Sequence, residues 1–204
     1  MSKGRIFVTG GNGFIGSRLV HALLENDYEV RCLLRSTSKT DRINGLNYEK
    51  FIGDITDQDS LEKGMEGCSG VMHLAGLSNW DDIHSPMMEA VVVEGSKNVV
   101  KAAKKANLKM VYVSSSTAID GTETPDILDE NSDFTLNKKT YSYAFAKKRV
   151  EAFCIDAACF TFNPHMLCFR QKPFEVTTNS IFIRTTQLHE YNRSIELQRA
   201  RSVD

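Results

Sequence analysis

The sequence predicts an α/β fold, a doubly wound parallel sheet, from two observations. Short apolar runs alternate with amphipathic stretches through residues 1–158, and the first run ends in a glycine-rich turn that opens a helix. A third observation bounds that plan. All 13 glycines of the 204-residue chain lie between Gly4 and Gly121, whereas average usage of about 7% would put roughly six in the remainder. The chain therefore divides into an α/β domain, residues 1–158, and a short divergent segment, 159–204.

The elements follow in order. Arg5-Ile6-Phe7-Val8-Thr9 is a short apolar run closed by glycines, as a buried parallel strand requires. From Gly13 the apolar period changes: Ile15, Leu19, Ala22 and Leu23 fall on one helical face ending near Asn26. Glu29–Leu34 is the second strand, and a turn-rich stretch from Ser36 to Leu46 leads to a third at Tyr48–Ile52. Asp57 is placed to cap a short helix that Gly67 helps to end. Val71–Leu74 is the fourth strand, Met88–Ala106 a long helix and Met110–Ser114 the fifth strand. Gly121–Lys139 is a polar loop, long enough to be a functional one. A last helix spans Thr140–Ala158, with Val150, Phe153 and Ala157 on one face. Beyond it, Met166–Arg170 and Ile181–Arg184 are alternative candidates for a further strand.

Composition excludes several function classes. Hydrophobic residues at 41% and charged residues at 25% are those of a folded globular chain. A net charge of −1 gives no global electrostatic case for a nucleic acid or an anionic membrane, and no apolar run approaches the ~18 residues of a membrane span. The five cysteines are odd in number, lack metal-site spacing and follow no secretory signal. Reduced thiols, a cytoplasmic location and no bound metal are the expectation.

Thr9-Gly10-Gly11-Asn12-Gly13-Phe14-Ile15-Gly16 joins the first strand to the first helix. Residues without Cβ atoms let a pyrophosphate reach backbone N–H groups, and the helix N-terminus adds positive dipole. The turn therefore points to a dinucleotide. Cofactor choice is written at the end of the second strand, ~20 residues on, where an acidic residue holds a ribose 2′-hydroxyl and an arginine accepts a 2′-phosphate. Arg35 stands there, followed by Ser36, Thr37 and Lys39, with no Asp or Glu between Val30 and Thr40. NADP is expected over NAD.

The fifth strand ends in Ser114-Ser115-Ser116, and Tyr143 precedes Lys147 by four residues on the next helix. That spacing sets phenol and ammonium on one helical face. A nearby cation favours the phenolate, which would draw the Tyr143 pKa down toward neutrality and fit it for acid–base work. Of six tyrosines, Tyr143 alone has a lysine four residues on.

Together these residues resemble the extended short-chain dehydrogenase/reductases, the NAD-dependent epimerase/dehydratase family, over about Lys3 to Ala158. The family's T-G-x-x-G-F-I-G is similar to Thr9–Gly16, its G-D-hydrophobic-x-D to Gly53–Asp57, its H-L-A-A/G to His73–Gly76, and its Y-x-x-x-K to Tyr143–Lys147. The resemblance implies a Rossmann fold in which Gly10, Gly13, Phe14, Ile15 and Gly16 meet the pyrophosphate. It also implies that Asp54 and Ile55 meet the adenine and that Ala75 and Gly76 line the cofactor. Tyr143 would exchange the proton, Lys147 would bind the nicotinamide ribose, and Ser116, rather than Ser115, would hold the substrate oxygen. Phrases such as Val30–Arg35 and Gly67–Leu74 look most like the dihydroflavonol-reductase branch. In relatives, helices four and five, here 88–106 and 140–158, form a two-fold dimer interface, which makes a homodimer a candidate assembly.

The chain also departs from the family pattern. Val92-Val93-Glu94-Gly95-Ser96 stands where many members have N-V-x-G-T, and no R-P-G follows either late strand candidate, so the resemblance implies an incomplete or divergent C-terminal substrate lobe. The expected function is an NADP-dependent oxidoreductase moving hydride between nicotinamide and a secondary alcohol or ketone of a small-molecule substrate. Two alternatives stay open: a nucleotide-sugar epimerase or dehydratase of the same superfamily, and a truncated NADP-binding protein without turnover. His73, without a second ligand at metal spacing, is expected to be a packed histidine.

Overall fold

Arg5–Thr9 (β1), Glu29–Leu34 (β2), Glu49–Ile52 (β3), Gly70–His73 (β4), Lys109–Val113 (β5) and Met166–Phe169 (β6) form one six-stranded parallel sheet in a computed structural model of the chain. It describes residues 1–77, 85–121, 128, 132–159 and 166–169. The strand order is β3-β2-β1-β4-β5-β6. The chain starts at the centre, steps outward to β3, then crosses back beside β1 and steps the other way. That reversal opens a crevice at the carboxyl ends of β1 and β4, where open α/β sheets take their ligands. The doubly wound sheet is as expected from the sequence.

Alternation along each strand sends neighbours to opposite faces. Phe7, Val71, Met110 and Tyr112 pack under helices α2 (Gln58–Met65), α3 (Ser96–Lys105) and α4 (Ser142–Cys159). Ile6, Val8, Val30 and Cys32 pack on the other face against Val20 and Leu23 of α1 (Phe14–Glu25). The Asp57 carboxylate caps α2 by accepting from the backbone N–H groups of Asp59 and Ser60, and Gly67 ends that turn at φ +70°.

The packing corrects the periodicity in three places. The buried face of α1 is Gly16, Ser17, Val20 and Leu23, whereas Ile15 is 40% exposed. Gly16 must abut the glycine turn, which rotates the helix away from the face that apolar counting selects. The long helix is wound with i→i+5 bonding from Met88 to Gly95 before becoming regular at Ser96, a winding frequent at functional sites. Arg31, inside the apolar run of β2, is buried: its Nε pairs with Glu49 at 2.8 Å, and its Nη1 donates to the carbonyl oxygens of Gly64 and Glu66 at the end of α2.

Strand β6 lies beyond residue 158, within the segment the sequence sets apart, and pairs in parallel register with β5 from Met110↔Met166 to Val113↔Phe169. Of the two late strand candidates, the first forms it. Ile181–Arg184 lies outside the described residues, as do Arg170 and much of the polar loop. Among the described residues no helix is long and apolar enough to cross a membrane.

Candidate functional site

The glycine turn leaves β1 with Gly10 at φ +72°, a conformation that L side chains rarely adopt. A Cβ on Gly10 would stand 2.7 Å from the backbone nitrogen of Ala75, and one on Gly16 would overlap the Gly10 carbonyl oxygen. The Gly13 N–H donates to that carbonyl at 3.0 Å, and the first helical bond runs from Ser17 N–H to the Gly13 oxygen. No side chain caps α1, no acidic residue sits in its first turn, and Phe14 is 62% exposed there. An uncapped, uncluttered helix N-terminus is what a pyrophosphate needs, so this cradle fits a dinucleotide.

Beside it, the end of β4 is held by a buried chain of polar contacts. Thr9 Oγ1 accepts from the Ala75 N–H at 3.2 Å and lies 2.6 Å from His73 Nδ1, while His73 Nε2 lies 2.9 Å from Ser96 Oγ. Burial, helped by the positive charge of Lys147, pushes the His73 pKa down to about 3, so the imidazole is neutral. It is the packed histidine expected, and its partners hold the Leu74–Gly76 backbone against Gly10.

Asp54 and Ile55 follow β3, with different availability. Asp54 Oδ1 accepts from the backbone N–H and the hydroxyl of Thr56, both at 2.9 Å. The Ile55 side chain is buried against Gly95, and its carbonyl oxygen accepts from Asn98 Nδ2 at 3.3 Å. Arg35 is exposed at the end of β2, where its N–H donates to Ser38 Oγ at 3.0 Å in a tight turn. Asn12, in the glycine turn, donates from Nδ2 to the Lys39 carbonyl at 2.9 Å. That bond ties the pyrophosphate cradle to the Arg35–Lys39 turn.

The acid–base candidates converge from β5 and α4. Tyr143 is hydrogen-bonded to Ser115, and burial pushes its pKa up despite that bond. Ser115 also accepts from the Thr117 N–H and opens a short 3-10 turn, Ser116–Ala118, in which Ser116 is half-buried. Lys147 is 5% exposed; its ammonium donates to the Val113 carbonyl at 3.0 Å and lies 5.9 Å from the Tyr143 ring centroid. The expected lowering of the Tyr143 pKa by Lys147 is therefore corrected: desolvation of the phenol dominates, and the ammonium is engaged by a carbonyl of β5. A Cβ on Gly76 would stand 3.9 Å from Lys147 Nζ, so α4 and the β4 loop share one site with the glycine turn.

Several contacts are not written in the motifs. Thr9 opens the glycine motif and Ser96 ends the Val92–Ser96 departure, but their links to His73 arise only when β1, β4 and α3 assemble. Tyr112, whose ring carries the Lys147 ammonium at 4.8 Å, sits in an apolar run. Glu151 is buried on the same α4 face as Lys147, one turn on, where charge alone would predict solvent. Beyond the serines, Asp120 accepts from the Thr135 N–H and hydroxyl, both at 2.8 Å, and so ties together the two ends of the polar loop.

Comparison with known proteins agrees with this geometry. The model of the NAD dependent epimerase/dehydratase family matches residues 6–164. The chain is 35% identical to cinnamoyl-CoA reductase 1 of Petunia hybrida over 161 residues, covering 72% of this chain and 47% of that protein. It is 31% identical to dihydroflavonol 4-reductase of Callistephus chinensis over 172 residues, 75% of this chain and 47% of that one. A solved structure of a short-chain dehydrogenase/reductase superfamily protein from Agrobacterium tumefaciens with bound NAD is 25% identical, with a TM-score of 0.65 over 81% of this chain and 48% of its own. The chain thus spans about half the length of the relatives it matches. On the family match and the shared sheet, this chain belongs to the NAD dependent epimerase/dehydratase family, among the extended short-chain dehydrogenase/reductases.

Proposed function

We propose that the chain binds NADP and serves hydride transfer between the nicotinamide and a secondary alcohol or ketone of a small organic molecule. One observation carries this reading: Tyr143, bonded to Ser115, and Lys147, beside Gly76, stand at the same carboxyl end of the sheet as an uncapped glycine cradle. When bound, the nicotinamide supplies or accepts the hydride.

The chain's own residues do the rest. The N-terminus of α1, through Gly10, Gly13, Phe14, Ile15 and Gly16, holds the pyrophosphate. Asp54 and Ile55 meet the adenine, while Ala75 and Gly76 line the cofactor. Arg35 accepts the 2′-phosphate, its turn clasped to the cradle by Asn12. Ser116 orients the substrate oxygen, and Lys147 holds the ribose. Tyr143 gives its hydroxyl proton to the substrate oxygen in reduction; as a half-buried neutral phenol it is already in the donating form at pH 7. A homodimer through the helices at 88–106 and 140–158, which an Arg149–Glu89 pair joins to each other within the subunit, belongs to the same reading.

Thermal unfolding of the full chain with NADP, with NAD and without ligand tests it. NADP at 100 times its dissociation constant adds about 2.7 kcal/mol of stability. A larger shift with NADP than with NAD, followed by consumption of NADPH with a panel of ketones, is expected. No shift with either nucleotide would refute the reading, and a shift without turnover would favour a nucleotide-binding protein instead.

A further inference from the structure

Lys147 carries a formal charge yet is 5% exposed, and a cation so enclosed needs fixed partners in place of water. On the sheet side these include two. Its ammonium donates to the Val113 carbonyl at 3.0 Å and lies 4.8 Å from the centroid of the Tyr112 ring, within range of an attractive cation–π contact. The Tyr112 ring is itself immobile: it is fully buried, and His73, its register partner on β4, stacks on it with centroids 5.5 Å apart and planes at 27°. His73 is fixed in turn by Thr9 and Ser96. On its own side of the contact, α4 meets apolar neighbours: Met88, Val92 and Val93 of the i→i+5 segment pack against Ala146 and Tyr143.

We infer that Tyr112 is a positioning residue for Lys147, its anchored ring face holding the ammonium at the Val113 carbonyl beside Gly76 before any nucleotide arrives. The functional meaning of that placement rests on the reading proposed above; the placement itself does not. A lysine has four rotatable side-chain bonds, and an ammonium already seated at the cofactor floor loses less freedom when a ribose binds. The role belongs to the ring and not to the hydroxyl. Phenylalanine should therefore replace Tyr112, and leucine should not.

The test uses the full chain without nucleotide, labelled with 13C-lysine, and reads the ε-methylene signal of Lys147 by NMR, assigned through Lys147→Arg. An ε-methylene over an aromatic face is displaced upfield of the other lysines by the ring current. Displacement in the wild type and in Tyr112→Phe, with loss in Tyr112→Leu, is expected; the Tyr143 ring, farther off at 5.9 Å, is present in all three. Parallel titration with NADP should show about tenfold weaker binding for Tyr112→Leu and binding within about twofold of wild type for Tyr112→Phe. A wild-type Lys147 signal among the bulk lysines would overturn the inference, as would its loss in Tyr112→Phe or unaltered NADP affinity in a folded Tyr112→Leu. Should the leucine variant fail to fold, the wild-type and phenylalanine spectra still decide. A wild type that binds no NADP would remove the functional reading, while the lysine signal would still report whether Tyr112 holds Lys147.

Discussion

Ser115, the middle serine of the run, is the serine whose side chain is hydrogen-bonded to the Tyr143 phenol. This bond lowers the Tyr143 pKa, against a larger upward push from burial. The two serines therefore have separable effects. Ser115→Ala should raise the Tyr143 pKa further, seen as a later onset of phenolate absorbance at 295 nm relative to a Tyr143→Phe blank. Ser116→Ala should leave that titration in place and weaken substrate turnover by about tenfold or more, the scale of one lost hydrogen bond to a reacting oxygen. Equal titrations in wild type and Ser115→Ala would contradict the bond.

Nucleotide choice should depend on two residues of different kinds. Arg35→Ala removes the cation offered to a 2′-phosphate. Since charged hydrogen bonds contribute about 1.5–3 kcal/mol, NADP affinity should fall at least ~10-fold while NAD affinity stays level. Asn12→Ala removes only the clasp to the Lys39 carbonyl. It should reduce the NADP-over-NAD preference by a smaller factor, because the arginine remains but its turn is no longer tied to the cradle. Isothermal titration with both nucleotides checks the pair.

Glycine substitutions separate fold from site. At Gly16 an added methyl has nowhere to go, since the obstacle is the backbone oxygen of Gly10. Gly16→Ala should cost about 1–3 kcal/mol of stability and abolish the nucleotide-induced thermal shift. Gly76→Ala meets nothing closer than Lys147 Nζ at 3.9 Å. It should keep the wild-type melting temperature in the absence of ligand and weaken nucleotide binding alone.

His73 makes stability depend on pH over a definite window. Its folded pKa of about 3 lies below the ordinary value of 6.5, so between those values the unfolded chain binds a proton that the native chain does not. Stability therefore falls as pH falls through that window, by up to ~1.4 kcal/mol per unit. Urea unfolding at pH 7, 6 and 5 should show this loss in the wild type and a shallower one in His73→Gln. The lowered carboxyl pKa values of Glu62, Glu94 and Asp120 add their own losses only at more acid pH. Parallel slopes for the two proteins would exclude a buried neutral His73.

The fold and half the site were legible in the amino-acid order because both are local. β1 and the turn after it are contiguous, and so are Tyr143 and Lys147 at helical spacing. The face of α1 was misjudged because apolar counting does not register that a glycine can be the closest-packed residue on a helix. Lys147 and Glu151 were invisible as buried residues because hydropathy assigns their charge to water, whereas α4 turns both inward.

What the sequence by itself determined was the parallel sheet, the glycine cradle and the identity of the phenol and its lysine, since strand period, turn stereochemistry and helix pitch act over a few residues. Only the tertiary structure decided which serine reaches Tyr143, that burial and not Lys147 governs its proton affinity, and that Tyr112 underlies the ammonium. Those outcomes depend on residues from 28 positions apart (Ser115 and Tyr143) to 71 apart (Gly76 and Lys147) meeting across the sheet and α4. Desolvation and ring contacts arise from that enclosure, which no local pattern encodes.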